Sequence, residues 1–379
     1  MKQVILFATF LLLLAACGNV KNKTERNREG QLVLVFDEQS SSSFFSDRIF
    51  GKVEIMPLET TDDCLVGNEP ELLSDDHNFF VFDRQQQFVL RFDKSGKFIN
   101  QIGRRGGGPE EYLDILCFDI DTVSNTVEIL APAGQILRYK YDGTFISSQK
   151  YDMKYLTSFI KTGTTYWFNI NATKFSEDGH LLKVSEDGTV IEKYLPIKTD
   201  WILPVGELNF SRCGNWISFK ETFNNMVYLL TDDGPVGTTV IDFGKYAIPQ
   251  NSYKDDFQSV FRDLEMKGWA TIYRYLENEQ FIYIDFKIQQ NRKIIGTYYW
   301  LINKNTGNSV MQKLSIDEPL YKMMKEAMIL TTDNKLIFMA NAQMLKECTD
   351  PFFSNANRIG NSLPEDVNPV VIALKINGF

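Results

Sequence analysis

Val89-Leu90-Arg91-Phe92-Asp93-Lys94-Ser95-Gly96-Lys97-Phe98-Ile99 is two short apolar-rich runs joined by a Ser-Gly turn. The pattern returns as Ile136-Leu137-Arg138-Tyr139-Lys140-Tyr141-Asp142-Gly143-Thr144-Phe145-Ile146. Weaker copies turn at Asp187-Gly188 and Asp233-Gly234, and later ones at Asn305-Thr306-Gly307 and Asn377-Gly378. An earlier strand precedes each of the first two, Phe79 to Asp83 and Val127 to Leu130. Turns of this kind need positive φ, which glycine adopts without steric cost, so each unit reads as a hairpin. The turn glycines at 96, 143, 188, 234, 307 and 378 are 47, 45, 46, 73 and 71 residues apart.

A period near 46 made only of short strands has the size of a four-stranded propeller blade. A single blade cannot bury both faces, whereas a closed ring of them can. Six turns predict an all-β chain folded as a six-bladed β-propeller. The sixth turn lies at the C-terminus, so its blade lacks an outer strand. Lys52 to Leu58 is the expected donor of that strand, with Gln31 to Phe36 extending or covering the same blade. The last two spacings exceed the period by 26 or so residues, which predicts short helical insertions in the last two blades. Apolar stripes place them at Asp255 to Leu264 and Leu320 to Met328, with a shorter one at Ala342 to Glu347. The methionines of the second stripe are expected to pack against the ring.

The N-terminus has a separate logic. Val4 to Ala16 is an apolar run of thirteen residues, shorter than the ~20 needed to cross a bilayer and long enough for a signal-peptide core. It ends in Leu14-Ala15-Ala16-Cys17, similar to a bacterial lipobox. The expected organisation is therefore a leader with lipobox over 1–17, a flexible tether over 18–30 and a propeller over 31–379. Lipidation at Cys17 would make the membrane a partner and the cell envelope the location. Gly18 to Lys23 lacks an acidic cluster, which favours a periplasm-facing position over the cell surface.

Composition narrows the function classes. The 379 residues carry 40 Lys and Arg against 49 Asp and Glu, a net charge of −9. No nucleic-acid partner is expected, because such binding needs a basic stripe. The chain has two histidines, His77 and His180, both in turn-like settings expected to be solvated. Apart from Cys17, the cysteines at 64, 117, 213 and 348 form no C-x-x-C pair, and their disulfide state is open. Asp75-Asp76 and Asp232-Asp233 read as turn chemistry, so no metal site and no cofactor are assigned. A calcium in the channel stays open as an alternative.

Phe92-Asp93-Lys94-Ser95-Gly96-Lys97-Phe98-Ile99-Asn100-Gln101-Ile102-Gly103, followed by Gly106-Gly107-Gly108-Pro109-Glu110-Glu111-Tyr112, resembles the signature of six-bladed β-propeller lipoproteins of Bacteroides-type bacteria. Met56-Pro57-Leu58-Glu59-Thr60 and Asn368-Pro369-Val370-Val371-Ile372 resemble that family's ends. The repeats also resemble the NHL class. The resemblance implies fold and export and carries no catalytic residues.

The segment Gly103 to Tyr112 is not a phosphate loop, since Pro109 follows the glycines and a strand follows Tyr112. It is expected to join the outer strand of one blade to the inner strand of the next. Scaffold is the reading for its glycines. Arg104, Arg105, Glu110 and Tyr112 are the candidate ligand-binding residues, with Arg105 and Glu110 the preferred contacts. The catalytic residues are unknown. A non-enzymatic module binding a glycan, a peptide or an envelope protein at the axial face is the leading function. The alternatives are a metal-dependent hydrolase or lyase acting on sugars or lactones, and a structural subunit of an envelope complex. An aromatic platform at the channel mouth would favour the glycan.

Overall fold

The computed structural model describes residues 24–170, 178–196, 208–222, 224–249 and 256–379. The leader and Cys17 lie outside them. Six sheets form six blades, each a meander from an inner to an outer strand. The first blade is Glu71–Ser74, Asn78–Asp83, Phe88–Asp93 and Phe98–Ile102. The second is Cys117–Asp121, Thr126–Ala131, Gln135–Lys140 and Phe145–Lys150. The third is Leu156–Thr162, Thr165–Ile170, Leu181–Ser185 and Val190–Tyr194; the fourth is Phe210–Cys213, Trp216–Lys220, Met226–Thr231 and Gly234–Asp242. Trp269–Glu277, Phe281–Gln290, Lys293–Asn303 and Ser309–Leu314 build the fifth. The sixth is Ala327–Leu330, Lys335–Ala340, Val370–Ile376 and, from the other end of the chain, Phe50–Pro57. First strands of successive blades touch around the whole circle, so they are the inner strands of a closed ring.

The glycine turns sit where the period places them, between third and outer strands. Gly96, Gly143, Gly188, Gly234 and Gly307 all have positive φ. At Gly96 a Cβ would stand 2.2 Å from the carbonyl oxygen of Pro57, so this glycine also lets the first blade's turn lie against the closing strand. That strand pairs antiparallel with Val370–Ile376, Val370 opposite Pro57 and Leu374 opposite Val53. The closure expected from Lys52 to Leu58 is therefore the one observed.

The earlier strand departs from expectation. Leu32–Val35 pairs in parallel with the outer strand of the fourth blade, and Thr24–Arg26 adds beyond it, within the stretch read as tether. The fourth blade thereby becomes six-stranded. Leu34 is fully buried between the fourth and fifth blades, which is why the strand docks there and not on the sixth. Phe36 meets Phe286 and Tyr298 edge-on, with centroids 5.2 and 5.1 Å away. Phe44 donates its backbone N–H to the Gln312 side chain at 2.8 Å, on the fifth blade's outer strand. Residues 32–57 thus form a belt across the rims of three blades. Phe44, Phe45 and Phe50 are its buried anchors. Each stabilises the fold by roughly 1.5–3 kcal/mol relative to exposure.

Helix α1 (Phe257–Lys267) precedes the fifth blade, with Asp256 accepting from the Ser259 N–H as its cap. Helix α2 (Pro319–Met323) is shorter than the stripe over Leu320 to Met328 predicts. The ring needs its sixth inner strand at once, and Ala327–Leu330 supplies it, so tertiary pairing overrides the local periodicity. Met323 and Met324 are fully buried, as expected. Helix α3 (Ala342–Glu347) is as predicted. Helix α4 (Ser354–Ser362) was not foreseen; both lie between the sixth blade's second and third strands. Gly360 brings α4 within 2.7 Å of Leu345 Cβ, measured from the Cβ that a larger residue would carry.

The second correction concerns His180. It is buried, with Nε2 3.1 Å from a Glu221 carboxylate oxygen and Nδ1 against the Leu195 carbonyl. Its turn lies between blades that cover it. His77 is exposed, and the adjacent Asp75 accepts the N–H groups of His77 and Asn78, the expected turn chemistry. All four cysteines of the described residues are free and buried. Burial pushes the Cys117 thiol up to about 12, the inert state of a packed residue.

Candidate functional site

Inner strands begin on the face that carries the connections between blades. On this face a cavity of about 1130 Å³ opens, bounded chiefly by the first, fifth and sixth blades. Its aromatic wall is Trp269, Tyr273 and Tyr321, and Met328, Met339 and Met344 extend the apolar surface. Five basic and three acidic side chains also line it.

The second strand of the fifth blade explains the cavity's charge. Ile282, Ile284, Phe286 and Ile288 pack towards the fourth blade, and Phe281 and Tyr283 towards the sixth. Asp285 and Lys287 share the face of Phe281 and Tyr283 by strand alternation, so both point at the sixth blade. Arg274 joins them through a bulge. Ile272 opposes Phe286, yet Arg274 opposes Asp285, leaving Tyr273 as the extra residue. A bulge re-aims the side chains after it, and here it turns Arg274 onto the Asp285 face.

Glu326, just before the sixth inner strand, receives both cations. Arg274 Nη2 is 3.1 Å from Glu326 Oε2, and Lys287 Nζ is 3.9 Å from Glu326 Oε1. Lys287 Nζ also lies 3.8 Å from the centroid of the Tyr273 ring, a cation–π contact. Burial lowers the Lys287 pKa, with Glu326 opposing. Asp285 is raised well above the ordinary carboxylate range, first by burial and then by the Glu326 charge. Tyr283 donates its hydroxyl to Asp285 at 3.1 Å. At the mouth, Lys325 pairs with Glu69, a non-glycine residue at φ 61°, joining the connections into the sixth and first blades.

A second charged cluster is built differently. Arg138, Lys161 and Arg212 meet Asp119, Asp121, Glu128 and Glu186 at 2.8–3.5 Å across the second, third and fourth blades. Arg138 and Lys161 share Glu128 and Glu186, Lys161 also reaches Asp121, and Arg212 has Asp119, so the carboxylates outnumber the cations. The cluster ties blades together.

The loop singled out from the sequence stands apart from the cavity. Arg104 pairs with Glu111 at 2.6 Å, and the same carboxylate accepts the Gly108 N–H at 2.8 Å. Arg105 donates to the Leu113 carbonyl at 2.8 Å and to Asp114 at 3.1 Å. The Glu110 carbonyl accepts the Tyr139 hydroxyl at 3.0 Å, and Tyr112 is buried with its hydroxyl donating to Ile102. None of these four residues lines the cavity. A Cβ at Gly106 would fall 2.0 Å from a Glu111 oxygen, whereas one at Gly107 would meet nothing. Close approach therefore explains Gly106 and not Gly107.

Sequence reasoning missed Arg274, Lys287 and Glu326. A signal existed for Lys287, because Asp285 and Lys287 interrupt the apolar run Phe281 to Ile288 two residues apart. The bulge that recruits Arg274 leaves no mark in the sequence. Among the described residues no cluster of His, Cys, Asp and Glu is arranged to hold a metal ion.

Similar proteins agree on the fold. An exported protein of Bacteroides fragilis aligns with a TM-score of 0.76 at 18% identity, covering 91% of this chain and all of that one. A DUF4221 family member from Bacteroides vulgatus aligns with a TM-score of 0.55 at 11% identity, over 87% of this chain and 98% of its own. No curated protein matches the sequence. A family model described as a domain of unknown function, DUF4934, matches residues 33–375, and the chain belongs to that family.

Proposed function

We propose that this chain is a lipid-anchored cell-envelope module that binds a glycan, without catalysis, in the axial cavity. The observation that carries the reading is the meeting of Trp269, Tyr273 and Tyr321 with charged hydrogen-bonding groups in about 1130 Å³. Sugar rings stack on aromatic faces while their hydroxyls need polar partners, and this volume exceeds a usual small-ligand pocket. The envelope location is supported by the leader-like start and Leu14-Ala15-Ala16-Cys17, and by the export ascribed to the Bacteroides fragilis relative. A periplasm-facing position fits the tether composition.

The test is a screen of the purified protein against envelope and host glycans, with Tyr273→Ala and the cavity-filling Met344→Trp as controls. Both variants should weaken a captured glycan by about tenfold or more, since stacking and access are each removed. A glycan indifferent to both changes would place binding elsewhere. For the anchor, Cys17→Ser should abolish acyl labelling and release the protein from membranes.

A further inference from the structure

We infer that the glycan bound in this cavity carries a carboxylate, as a uronate unit does, and that Arg274 and Lys287 are the cations that read it. The inference rests on the glycan reading above and adds the chemical class. Arg274 and Lys287 side chains are only 9% and 8% exposed, yet they share one carboxylate, that of Glu326. Removing cations from water is tolerated when each is paired and its donors are used. Arg274 Nε has no hydrogen-bond partner among the described residues. Asp285 does not balance the charge, because it is buried behind the cavity wall and held towards its neutral form. The Lys161 cluster sets the comparison, with three cations facing four carboxylates.

The excess of positive charge is local. The whole chain carries −9, while the cavity lining has five basic residues to three acidic. A planar guanidinium beside an ammonium suits a carboxylate, which arginine can hold through two parallel bonds. Tyr273 and Tyr321 on the same wall suit the ring that bears it. Glu326 then acts as an internal stand-in: it neutralises the two cations in the empty site and competes with the incoming acid.

The experiment is calorimetry with oligogalacturonate, oligoglucuronate and oligomannuronate, each against its own methyl ester and a sulfated neutral oligosaccharide of equal length. At least one free acid should bind about ten- to a hundredfold more tightly than its ester, the value of a charged hydrogen bond. Lys287→Met should erase that preference, with thermal melting checking that the variant folds. Glu326→Gln should lower the melting temperature of the unliganded protein and enlarge the shift produced by the acid. Equal binding of acid and ester, preference for the sulfated sugar, or a smaller shift in Glu326→Gln would overturn the carboxylate inference and leave the glycan reading standing. Binding of acidic peptides and of no sugar in any form would overturn both.

Discussion

The side-chain amide of Asn368 donates to the carbonyl of Cys64 at 2.6 Å, across 304 positions of sequence. The same amide donates to the Glu59 carbonyl, and its oxygen accepts the Val66 N–H at 2.8 Å. Asn368 is 1% exposed, so one side chain satisfies three backbone groups of the segment leaving the closing strand. Asn368→Ala would orphan them. A buried unsatisfied group costs ~1–3 kcal/mol, so a loss of about 3 kcal/mol or more is expected in urea unfolding. A midpoint like that of the unaltered protein would show that water replaces the amide.

Phe50 tests the belt. Its ring is fully buried and meets Phe44 at 5.2 Å between centroids. Phe50→Ala should cost about 3–5 kcal/mol through lost burial and the cavity left behind. Deleting residues 50–57 should go further, exposing the edge of Val370–Ile376 and causing aggregation. A monomeric deletion variant that unfolds cooperatively would contradict the closure.

Two adjacent glycines should separate in the loop. Gly106→Ala pushes the Glu111 carboxylate off the Gly108 N–H and should cost about 0.5–1.5 kcal/mol, the value of that hydrogen bond, while Gly107→Ala should stay within about 0.5 kcal/mol. Arg105→Ala also belongs to the near-neutral class, since its partner Asp114 is about as exposed as Arg105 itself. Thermal melts of the three variants side by side are the measurement.

Asp285 gives a pH signature. Its folded pKa is raised above the ordinary value of 3.8, so the folded state holds a proton that the unfolded chain releases. That contribution is complete below the unfolded pKa and is lost as pH rises from about 4 through neutrality. Asp285→Asn keeps the shape without the titration and should flatten this decline in melting temperature. An equally steep decline in the variant would assign the effect to another group.

Most of the ring was legible because its signals are local and periodic. Gly96, Gly143, Gly188, Gly234 and Gly307 each mark a hairpin by their own backbone requirement and count five blades; the sixth follows from Gly378 at the end of the last repeat, which has no positive φ of its own. The missing last strand was legible by subtraction. The strand at Leu32–Val35 reads from the sequence as an extension or cover of the sixth blade, and only the packing of Leu34 and Phe36 between the fourth and fifth places it elsewhere. The loop from Gly103 to Tyr112 advertised itself through composition, yet the cavity is built from residues that look like ordinary strand. Lys287 and Arg274 meet Glu326 through strand pairing and a one-residue bulge, neither of which follows from residue type. Helix α4 was hard to see because its buried face is made of small residues, Ala356 and Gly360, with Ile359 the one large apolar side chain beside them.

The belt over residues 32–57 has a consequence for the order of assembly. Its partners are the outer strand of the fourth blade, ending at Asp242, the fifth blade at Met311 and Gln312, and the last strand at Val370 to Ile376. In a chain made from its N-terminus, the belt precedes all of these partners, and its Phe50–Pro57 strand waits for the one made last. Until then the Phe44, Phe45 and Phe50 rings have nowhere to be buried, and contacts of such long range form slowly. The segment that seals the ring is therefore also the one most in need of protection before the ring exists, and a chain cut short anywhere before residue 370 would leave Phe50–Pro57 without its strand partner.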